Sequence, residues 1–230
     1  MGLVHIPRVI ASVGRGMLRG RSAPQRAREV GLRFDDPHVY RARAGLFDVD
    51  YLGHMNNAAY LAHAEFARWE MCAANGMMAH MFQEREAFLV ASVVVRYRRE
   101  MKPLFRKFQV DSNICSLDER NIWMLQNFRY PGQGGVHKIR AQVLLKAVLI
   151  NSQKEVIDPR PFLIEKCHVD SEVIAQLDHS GTTTSPPPSS GQKEGSAAGS
   201  SVEEQLLFRF EELEKSLQMS AAADDERIDG

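Results

Sequence analysis

The feature that most constrains the fold is one long helical pattern followed by several segments that resemble β-strands. Residues 56–85 (NNAAYLAHAEFARWEMCAANGMMAHMFQER) place Phe66, Trp69, Ala73 and Met77 on one face of a helix. The segments after it are rich in Val, Ile, Leu and Phe and are separated by turn-like stretches; they are residues 87–101, 107–119, 121–131 and 136–151.

Two further segments complete the predicted folded region. Residues 39–50 alternate partly in hydrophobicity and predict a first short strand, and residues 171–177 predict a closing helix. Turns and hairpins connect most of the predicted strands. The pattern therefore predicts an α+β fold with one long helix against a face of an antiparallel sheet of about five strands.

The N-terminal segment is basic and contains no Asp or Glu before Glu29. Its arginines are Arg8, Arg15, Arg19, Arg21, Arg26 and Arg28. An arginine-rich, acid-free and loosely amphipathic segment is typical of a mitochondrial presequence, so we expect residues 1–35 to be a targeting segment and the protein to be mitochondrial. The alternative is a disordered basic arm, or a basic helix on an anionic membrane, in a cytoplasmic or membrane-peripheral protein.

The C-terminal part changes composition twice. Residues 178–200 are rich in Ser, Thr, Gly and Pro and predict a disordered linker, because they cannot bury enough apolar surface to offset the entropy of ordering. In residues 201–219, a Ser201–Glu204 capping box and a stripe of Leu and Phe predict an amphipathic helix, which is a candidate for docking on a protein partner. Residues 220–230 are predicted to be disordered.

The overall composition excludes several classes of protein. The 230 residues contain 29 basic and 29 acidic side chains, so no global positive charge points to a nucleic acid partner. The three cysteines form neither a disulfide framework nor a pair with metal-binding spacing. No apolar run reaches the roughly 20 residues of a transmembrane helix, and no transmembrane span is expected.

The loop before the long helix concentrates polar residues and glycine in the sequence FDVDYLGHMNN, residues 47–57. Asn56 and Asn57 are residue types that cap helices, and capping alone explains part of this pattern. A second interpretation is a ligand site, because the first amides of a helix carry partial positive charge and can polarise a carbonyl group. An Asp slightly upstream could then attack that carbonyl or activate a water molecule.

The motif DVDYLGHMNNAAY resembles the D-x-D-x-x-G-H-x-N-N-x-x-Y motif of hotdog-fold acyl-CoA thioesterases of the 4-hydroxybenzoyl-CoA type. Residues 92–114 are similar to a later strand, loop and strand of that family, and the whole resemblance covers residues 36–177. It is strongest to the thioesterase superfamily member six group. The resemblance implies a hotdog fold, a homodimer or dimer of dimers, and hydrolysis of an acyl thioester of coenzyme A or of an acyl carrier, as in fatty acid metabolism.

The resemblance also implies a set of site residues. The catalytic carboxylate falls on Asp50, as nucleophile or general base, and the polarising amide falls near Asn57. Gly53 allows the backbone to approach a ligand closely. Glu65 is a second-choice catalytic acid, because another branch of hotdog thioesterases uses a carboxylate on the helix. The residues expected to bind substrate are His54, Arg98, Arg99 and Lys102.

Each expected site residue has a structural alternative. Asp50 and His54 could only stabilise the turn, and the basic residues could be a solvated strand edge. No metal or redox cofactor is implied, and coenzyme A enters only as part of the substrate. Besides the thioesterase, two functions stay open: a catalytically silent subunit of a mitochondrial complex, and a module that binds acyl-CoA without turnover.

Overall fold

The computed structural model describes residues 2–22, 29–32, 36–102, 104–132 and 138–178. They belong to one compact unit, Met1–Ser180, whereas the second unit, Gly181–Gly230, lies outside the described residues. Most of the predicted linker, and all of the predicted helix 201–219 and tail 220–230, therefore stay predictions.

The described chain contains helices and strands in the predicted order. The helices are α1 (Gly2–Ser22), α2 (Asn57–Ala74), α3 (Met77–Glu84) and α4 (Ser171–Leu177). The strands are β1 (His38–Arg43), β2 (Ala87–Tyr97), β3 (Lys107–Leu117), β4 (Ile122–Arg129), β5 (Ala141–Ile150) and β6 (Val156–Ile157). Short helical turns are Leu46–Asp48, Pro159–Pro161 and the π-turn Phe162–Lys166.

The strands form one antiparallel sheet in the order β1-β3-β4-β5-β2, and the short β6 pairs with β5. The β3–β4 hairpin closes through Asp118, whose backbone amide donates to the Asn121 carbonyl (3.0 Å). Helix α2 contacts the sheet at β1 and β3. The predicted α+β hotdog architecture is confirmed.

The prediction of a single long helix over residues 56–85 is wrong in one respect, because the segment is divided into α2 and α3. Gly76 has a φ of +84°, in the left-handed region, and it forms the N-terminal boundary of α3. Such a residue cannot continue a right-handed helix. The change in direction lets α3 bring Met77 and Met78 into the interior, where each is at most 3% exposed.

Two clusters of buried side chains form the core. One surrounds the first half of α2 and includes Tyr60, Phe66, Phe108 and Phe128. The other lies around the second half of α2, with α3, α4 and the turn Phe162–Lys166. The two halves of α2 are therefore held by different parts of the chain.

Helix α1 packs along α2, a contact that the sequence did not predict. A Cβ atom added at Gly16 would lie 2.2 Å from the Glu70 carbonyl oxygen, and one added at Gly20 would lie 2.4 Å from the Ala74 carbonyl oxygen. Two glycines four residues apart thus let the helix backbones approach closely. Within the described residues, no helix is both long enough and apolar enough to cross a membrane.

The basic side chains of α1 contact buried carboxylates. Glu70 on α2 is completely buried, yet Arg15 Nε lies 2.9 Å from its Oε2 and Arg19 Nη1 lies 2.6 Å from its Oε1. His38 Nε2 approaches the same Oε1 at 3.5 Å. Burial raises the pKa of Glu70, but His38 and the two arginines lower it more, so the carboxylate is charged and its pKa lies below the ordinary value.

We expect Gly16→Ala to reduce the free energy of unfolding by about 1–3 kcal/mol, because α1 must move away from α2 to accommodate the methyl group. The matched control is Gly14→Ala, since a Cβ atom there has no neighbour within 4 Å among the described residues and alanine favours the helix. Chemical denaturation of both variants checks this. Equal stability of the two variants would contradict the packing of α1 on α2.

Candidate active site

The loop between the turn Leu46–Asp48 and α2 is shaped by Asp50. Its Oδ1 accepts hydrogen bonds from the amides of Leu52 (2.9 Å) and His54 (3.0 Å). The Asp50 amide donates to the His54 carbonyl (2.8 Å), and Gly53, with a φ of +74°, donates to the Asp50 carbonyl (3.0 Å). In the described part of the chain, Asp50 Oδ2 has no hydrogen-bond partner, so this oxygen can meet a ligand.

The start of α2 lies directly after this loop. Asn56 is the N-cap: its Oδ1 accepts from the Ala59 amide (2.8 Å), and its Nδ2 donates to the Phe47 carbonyl (3.2 Å). The capping interpretation is therefore right for Asn56. The amides of Asn57 and Ala58 are not used by this cap and carry the partial positive charge of the helix end. They can donate to an oxygen atom of a ligand.

Asp48, two residues before Asp50, has a different role. It is 3% exposed, and its carboxylate accepts hydrogen bonds from Arg8 Nη1 (2.7 Å), Arg8 Nη2 (3.1 Å) and the Gly45 amide (2.8 Å). Burial raises the pKa of Asp48, but the His63 ring, Arg8 and the Gly45 amide lower it well below its ordinary value. Asp48 is a charged anchor between α1 and the loop.

His63 on α2 completes this buried cluster. Its Nε2 lies 2.9 Å from Arg8 Nη2, and its Nδ1 lies 3.3 Å from Tyr40 Oη. Nε2 also lies 3.4 Å from Asp48 Oδ2, so the ring contacts both partners of the Arg8–Asp48 ion pair. Burial lowers the pKa of His63 and outweighs the opposite effect of the Asp48 carboxylate.

The structure brings the predicted substrate-binding residues to the same end of α2. The Met55 amide donates to the Met101 carbonyl (2.9 Å), which places residues 98–102 beside the Asp50 loop. Glu100 links two of the predicted residues, since it lies 3.1 Å from His54 Nε2 and 3.5 Å from Lys102 Nζ. The Arg98 and Arg99 amides both donate to the Arg140 carbonyl, at the end of β2.

A cavity of about 350 Å³ lies between α2, α3 and the sheet. Glu65 is in its wall, as are Met77 and Met81, whereas Asp50, Gly53 and Asn57 are not among its lining residues. The other lining residues are Arg68, Trp69, Met71, Cys72, Phe88, Val90, Ile114, Ile122, Met124, Leu145 and Ala147. The cavity is therefore mainly apolar, and its size is at the lower end of the range for small-molecule sites, about 300–1,000 Å³.

Glu65 is held by its neighbours. Its Oε1 accepts a hydrogen bond from Trp69 Nε1 (3.2 Å), and its Oε2 lies 3.3 Å from His5 Nε2 of α1. The Glu65 side chain is 39% exposed, so it lies where the cavity meets solvent. Glu65, the second-choice catalytic acid, thus lies in the cavity wall, whereas Asp50, the first choice, lies in the loop before α2.

Catalysis by a cysteine nucleophile and catalysis by a metal ion have less support from the described side chains. Burial raises the pKa of the Cys72 thiol to about 11, so this lining residue is protonated and a poor nucleophile at neutral pH. Across the residues that the structure describes, no group of three or more His, Cys, Asp and Glu side chains is arranged to hold a metal ion.

Sequence reasoning missed the ionic contacts of α1 and the place of Arg68 in the cavity wall. The spacing of Gly16 and Gly20 was the one available signal that α1 packs closely on another helix. No local pattern links Arg8 with Asp48, since the two are 40 residues apart. That Arg68 points into the cavity could not be predicted from a local pattern either, because its hydrogen-bond partner Gln126 lies on β4.

We expect Arg8→Met to reduce the free energy of unfolding at pH 7 by about 2–3 kcal/mol, because Asp48 would be left as a buried charge without its cation. The pKa of Asp48 is lowered by folding, so its stabilising contribution is present above its unfolded pKa, about 3.9, and is lost as the pH falls below it.

The deficit of Arg8→Met relative to the wild type should therefore shrink between pH 5 and pH 3. Thermal unfolding across this range measures it, with the exposed Arg21→Met on the same helix as the control. A deficit that is independent of pH would show that Arg8 acts through packing and not through the Asp48 charge.

Comparisons with known proteins match the region that contains the loop, α2 and the cavity. Residues 45–177 match the profile of the family described as the thioesterase-like superfamily. Protein THEM6 of Xenopus laevis is 30% identical over 91 residues, which are 40% of this chain and 44% of that protein. Protein THEM6 of Drosophila melanogaster is 29% identical over 133 residues, 57% of this chain and 67% of that protein.

The chain spans about half the length of the first curated relatives it matches. Among solved structures, the YbaW probable thioesterase from Escherichia coli has a TM-score of 0.51 at 23% identity, over 56% of this chain and 95% of that one. The protein SAV2348 from Staphylococcus aureus, solved in complex with CoA, has a TM-score of 0.51 at 12% identity, over 70% of this chain and 95% of that one. These structures share the fold, and because the family profile matches more than half of the sequence, the chain belongs to the thioesterase-like superfamily.

Proposed function

We propose that the protein hydrolyses acyl thioesters of coenzyme A or of an acyl carrier. The observation that carries the proposal is the loop directly before α2, where Asp50 Oδ2 and the amides of Asn57 and Ala58 have no hydrogen-bond partner among the described residues. Membership of the thioesterase-like superfamily supports it.

The chemistry follows from this arrangement. The thioester carbonyl oxygen accepts hydrogen bonds from the amides near Asn57, which stabilise the negative charge that develops on it. Asp50 either attacks the carbonyl carbon or takes a proton from a water molecule that attacks it. If Asp50 attacks, the C–S bond breaks to leave an acyl–Asp50 anhydride, which a water molecule then hydrolyses to the carboxylic acid and free Asp50. If water attacks, the C–S bond breaks directly and the carboxylic acid is released. In both cases the leaving thiolate is protonated, by the proton that water gives up. Gly53 keeps the loop free of a side chain where the substrate approaches.

We propose that His54, Arg98, Arg99 and Lys102 bind the phosphate groups of coenzyme A. Their support is positional, because all four lie at the end of the molecule that holds the Asp50 loop. Arginine and lysine side chains are well suited to phosphate oxygens. Glu100 reduces the positive charge of this cluster when no anion is bound, through its contacts with His54 and Lys102.

Glu65 is the second candidate for the catalytic carboxylate, and its place in the cavity wall favours it. It lies eight residues after Asn57 on α2, and at 1.5 Å per residue the separation along the axis is about 12 Å. One thioester carbonyl cannot contact both positions within a single subunit. Asp50 and Glu65 are therefore alternatives, unless two subunits complete one site together.

We propose a homodimer formed through β2. This strand is at the edge of the sheet, with β5 as its neighbour, and its exposed apolar side chains are Leu89, Val90, Val93, Val94 and Tyr97. A long apolar edge strand in water is prone to pair with another strand. Pairing of two β2 strands would bury these side chains and join the two sheets.

The alternative function is a catalytically silent subunit of a mitochondrial complex, with the predicted helix 201–219 as its docking segment. The mitochondrial location stays a prediction from the basic composition of the N-terminal segment. Because three of its arginines contact Asp48 and Glu70, we expect function to be tested on the whole chain and not on a fragment that lacks α1.

We expect the full-length protein to hydrolyse acyl-CoA thioesters, and Asp50→Asn to lower kcat by about 100-fold to 10,000-fold, because it removes the base or nucleophile. Release of free thiol from short, medium, long and aromatic acyl-CoAs measures this. Glu65→Gln is the matched comparison, because it makes the same carboxylate-to-amide change on the other candidate.

If Glu65→Gln loses the activity and Asp50→Asn keeps it, the catalytic assignment moves to the cavity wall. If the folded wild-type protein releases no thiol from any of these substrates, the silent-subunit alternative replaces the proposal.

We expect Val93→Asp to convert a dimer into a monomer, because two charges would face each other at the paired β2 strands. Light scattering after size-exclusion chromatography measures the mass. The control is Val156→Asp on β6, because both valines are 40% exposed. A wild-type monomer, or a dimer that persists in Val93→Asp, would contradict β2 as the interface.

A further inference from the structure

Arg68 is an unusual group for an apolar cavity. It projects from α2 into the wall of the cavity between α2, α3 and the sheet, where most of its neighbours are aliphatic, aromatic or thioether side chains. In the described part of the chain its one hydrogen bond is from Nη1 to Gln126 Oε1 (2.9 Å). A guanidinium group has five N–H donors, so most of its donors are left for a ligand or water in the cavity.

Gln126 holds the guanidinium group in place. It is completely buried on β4, and its Nε2 donates to the Ala64 carbonyl (3.0 Å) and to Ser112 Oγ (2.9 Å). Because Gln126 Nε2 donates to α2 and to β3, the Oε1 atom of the same amide is oriented toward Arg68. The sheet thus fixes the cation, and a neutral amide is its hydrogen-bond partner.

The nearest acidic side chain does not neutralise Arg68. Glu65 is three residues earlier on the same helix face, but its two oxygens contact Trp69 and His5, and no oxygen of Glu65 lies within 4 Å of Arg68. By contrast, the buried carboxylates Asp48 and Glu70 each have arginine partners. The charge of Glu65 raises the pKa of Arg68, but among the described residues no carboxylate lies within ion-pair distance of the guanidinium.

A cation in such surroundings is costly to keep. Burial is the main influence on Arg68 and lowers its pKa, yet arginine stays protonated at physiological pH. Placing an anion against it would recover much of the lost hydration energy, and a planar carboxylate matches the two parallel N–H groups of the guanidinium. A purely aliphatic chain in the same space would leave these donors unsatisfied.

We propose that Arg68 binds a carboxylate at the far end of the acyl group, so that the preferred substrates are monothioesters of dicarboxylic acids. The proposal rests on the proposed hydrolase function for its kinetic test. The cavity accommodates the methylene chain against Met77, Met81 and Phe88, and Arg68 binds the terminal charge. A volume of about 350 Å³ limits the acyl group to short or medium length.

The decisive comparison uses two thioesters of equal chain length, dodecanedioyl-CoA and dodecanoyl-CoA, which differ in the terminal carboxylate. Arg68 lies eleven residues after Asn57 on α2, about 16–17 Å along the axis, so an acyl chain of this length is needed to reach from the amides at the helix start to the guanidinium. We expect the full-length wild-type protein to have a kcat/KM for dodecanedioyl-CoA at least about tenfold higher. In Arg68→Met this preference should vanish or reverse, since methionine fills similar space without a charge. Equal or better turnover of dodecanoyl-CoA by the wild type would overturn the proposal without any variant.

Two further variants make the result specific. Arg68→Lys retains a positive charge without the planar pair of donors, and it should keep part of the preference. Arg120→Met is the matched control, because it removes an exposed arginine in the β3–β4 turn and should leave the preference unchanged. Equal loss for both thioesters in Arg68→Met would assign Arg68 to a part common to both substrates, and would also overturn the proposal.

A binding measurement separates this proposal from the hydrolase proposal. Trp69 lies in the cavity wall, and the other tryptophan, Trp123, is not among the lining residues. In a Trp123→Phe background, adipate should therefore change the fluorescence of Trp69 at lower concentrations than hexanoate, and Arg68→Met should abolish that difference. This result without any thioester hydrolysis would support the anion site and refute the hydrolase. Thioester hydrolysis without any difference in binding between adipate and hexanoate would support the hydrolase and refute the anion site.

Discussion

The structure depends on the neutralisation of two buried carboxylates, one in the turn before α2 and one on α2 itself. Asp48 and Glu70 are almost completely inaccessible to water, and each is paired with arginines from α1. A buried carboxylate without a cation is strongly destabilising, so the position of α1 and the charge state of the interior depend on each other. The close approach at Gly16 and Gly20 is the geometry that makes these ion pairs short.

This arrangement divides α2 into parts with different chemistry. Its first turn follows the Asp50 loop, which is bonded to the β2–β3 connection through the Met55 amide and the Met101 carbonyl. Its middle supplies Glu65 and Arg68 to a largely apolar cavity. The loop geometry suits attack on a thioester carbonyl, and the cavity suits recognition of an acyl group. A substrate that uses both must extend along the helix or cross between subunits.

The sequence was sufficient to predict the parts of the fold that depend on local patterns. Helix α4 was predicted at residues 171–177 and is observed as Ser171–Leu177, because its apolar spacing is a local pattern. The same holds for the turn between residues 107–119 and 121–131 and for the polar loop around Asp50. The interruption at Gly76 was missed, because the apolar pattern continues across it and periodicity alone does not show a left-handed residue.

The rest could not be predicted, because it depends on contacts between distant segments. Arg8 and Asp48 have no common local pattern, and the acid-free composition that suggested a targeting segment is the same composition that supplies cations to α2. Glu65 and Arg68 are three residues apart and would ordinarily be expected to pair on the helix surface. Only the positions of Trp69, His5 and Gln126 show that the two side chains point to different partners.

The packing of the N-terminal segment has a consequence for maturation. A targeting segment that is cleaved must be dispensable after import, whereas α1 supplies the arginine partners of Asp48 and Glu70 and the His5 contact of Glu65. A protease that removed residues 1–22 would leave both buried carboxylates without these arginines and would loosen the Asp50 loop. Any processing of this chain that preserves function must therefore leave α1 in place. Proteolytic removal of α1 would inactivate the protein irreversibly.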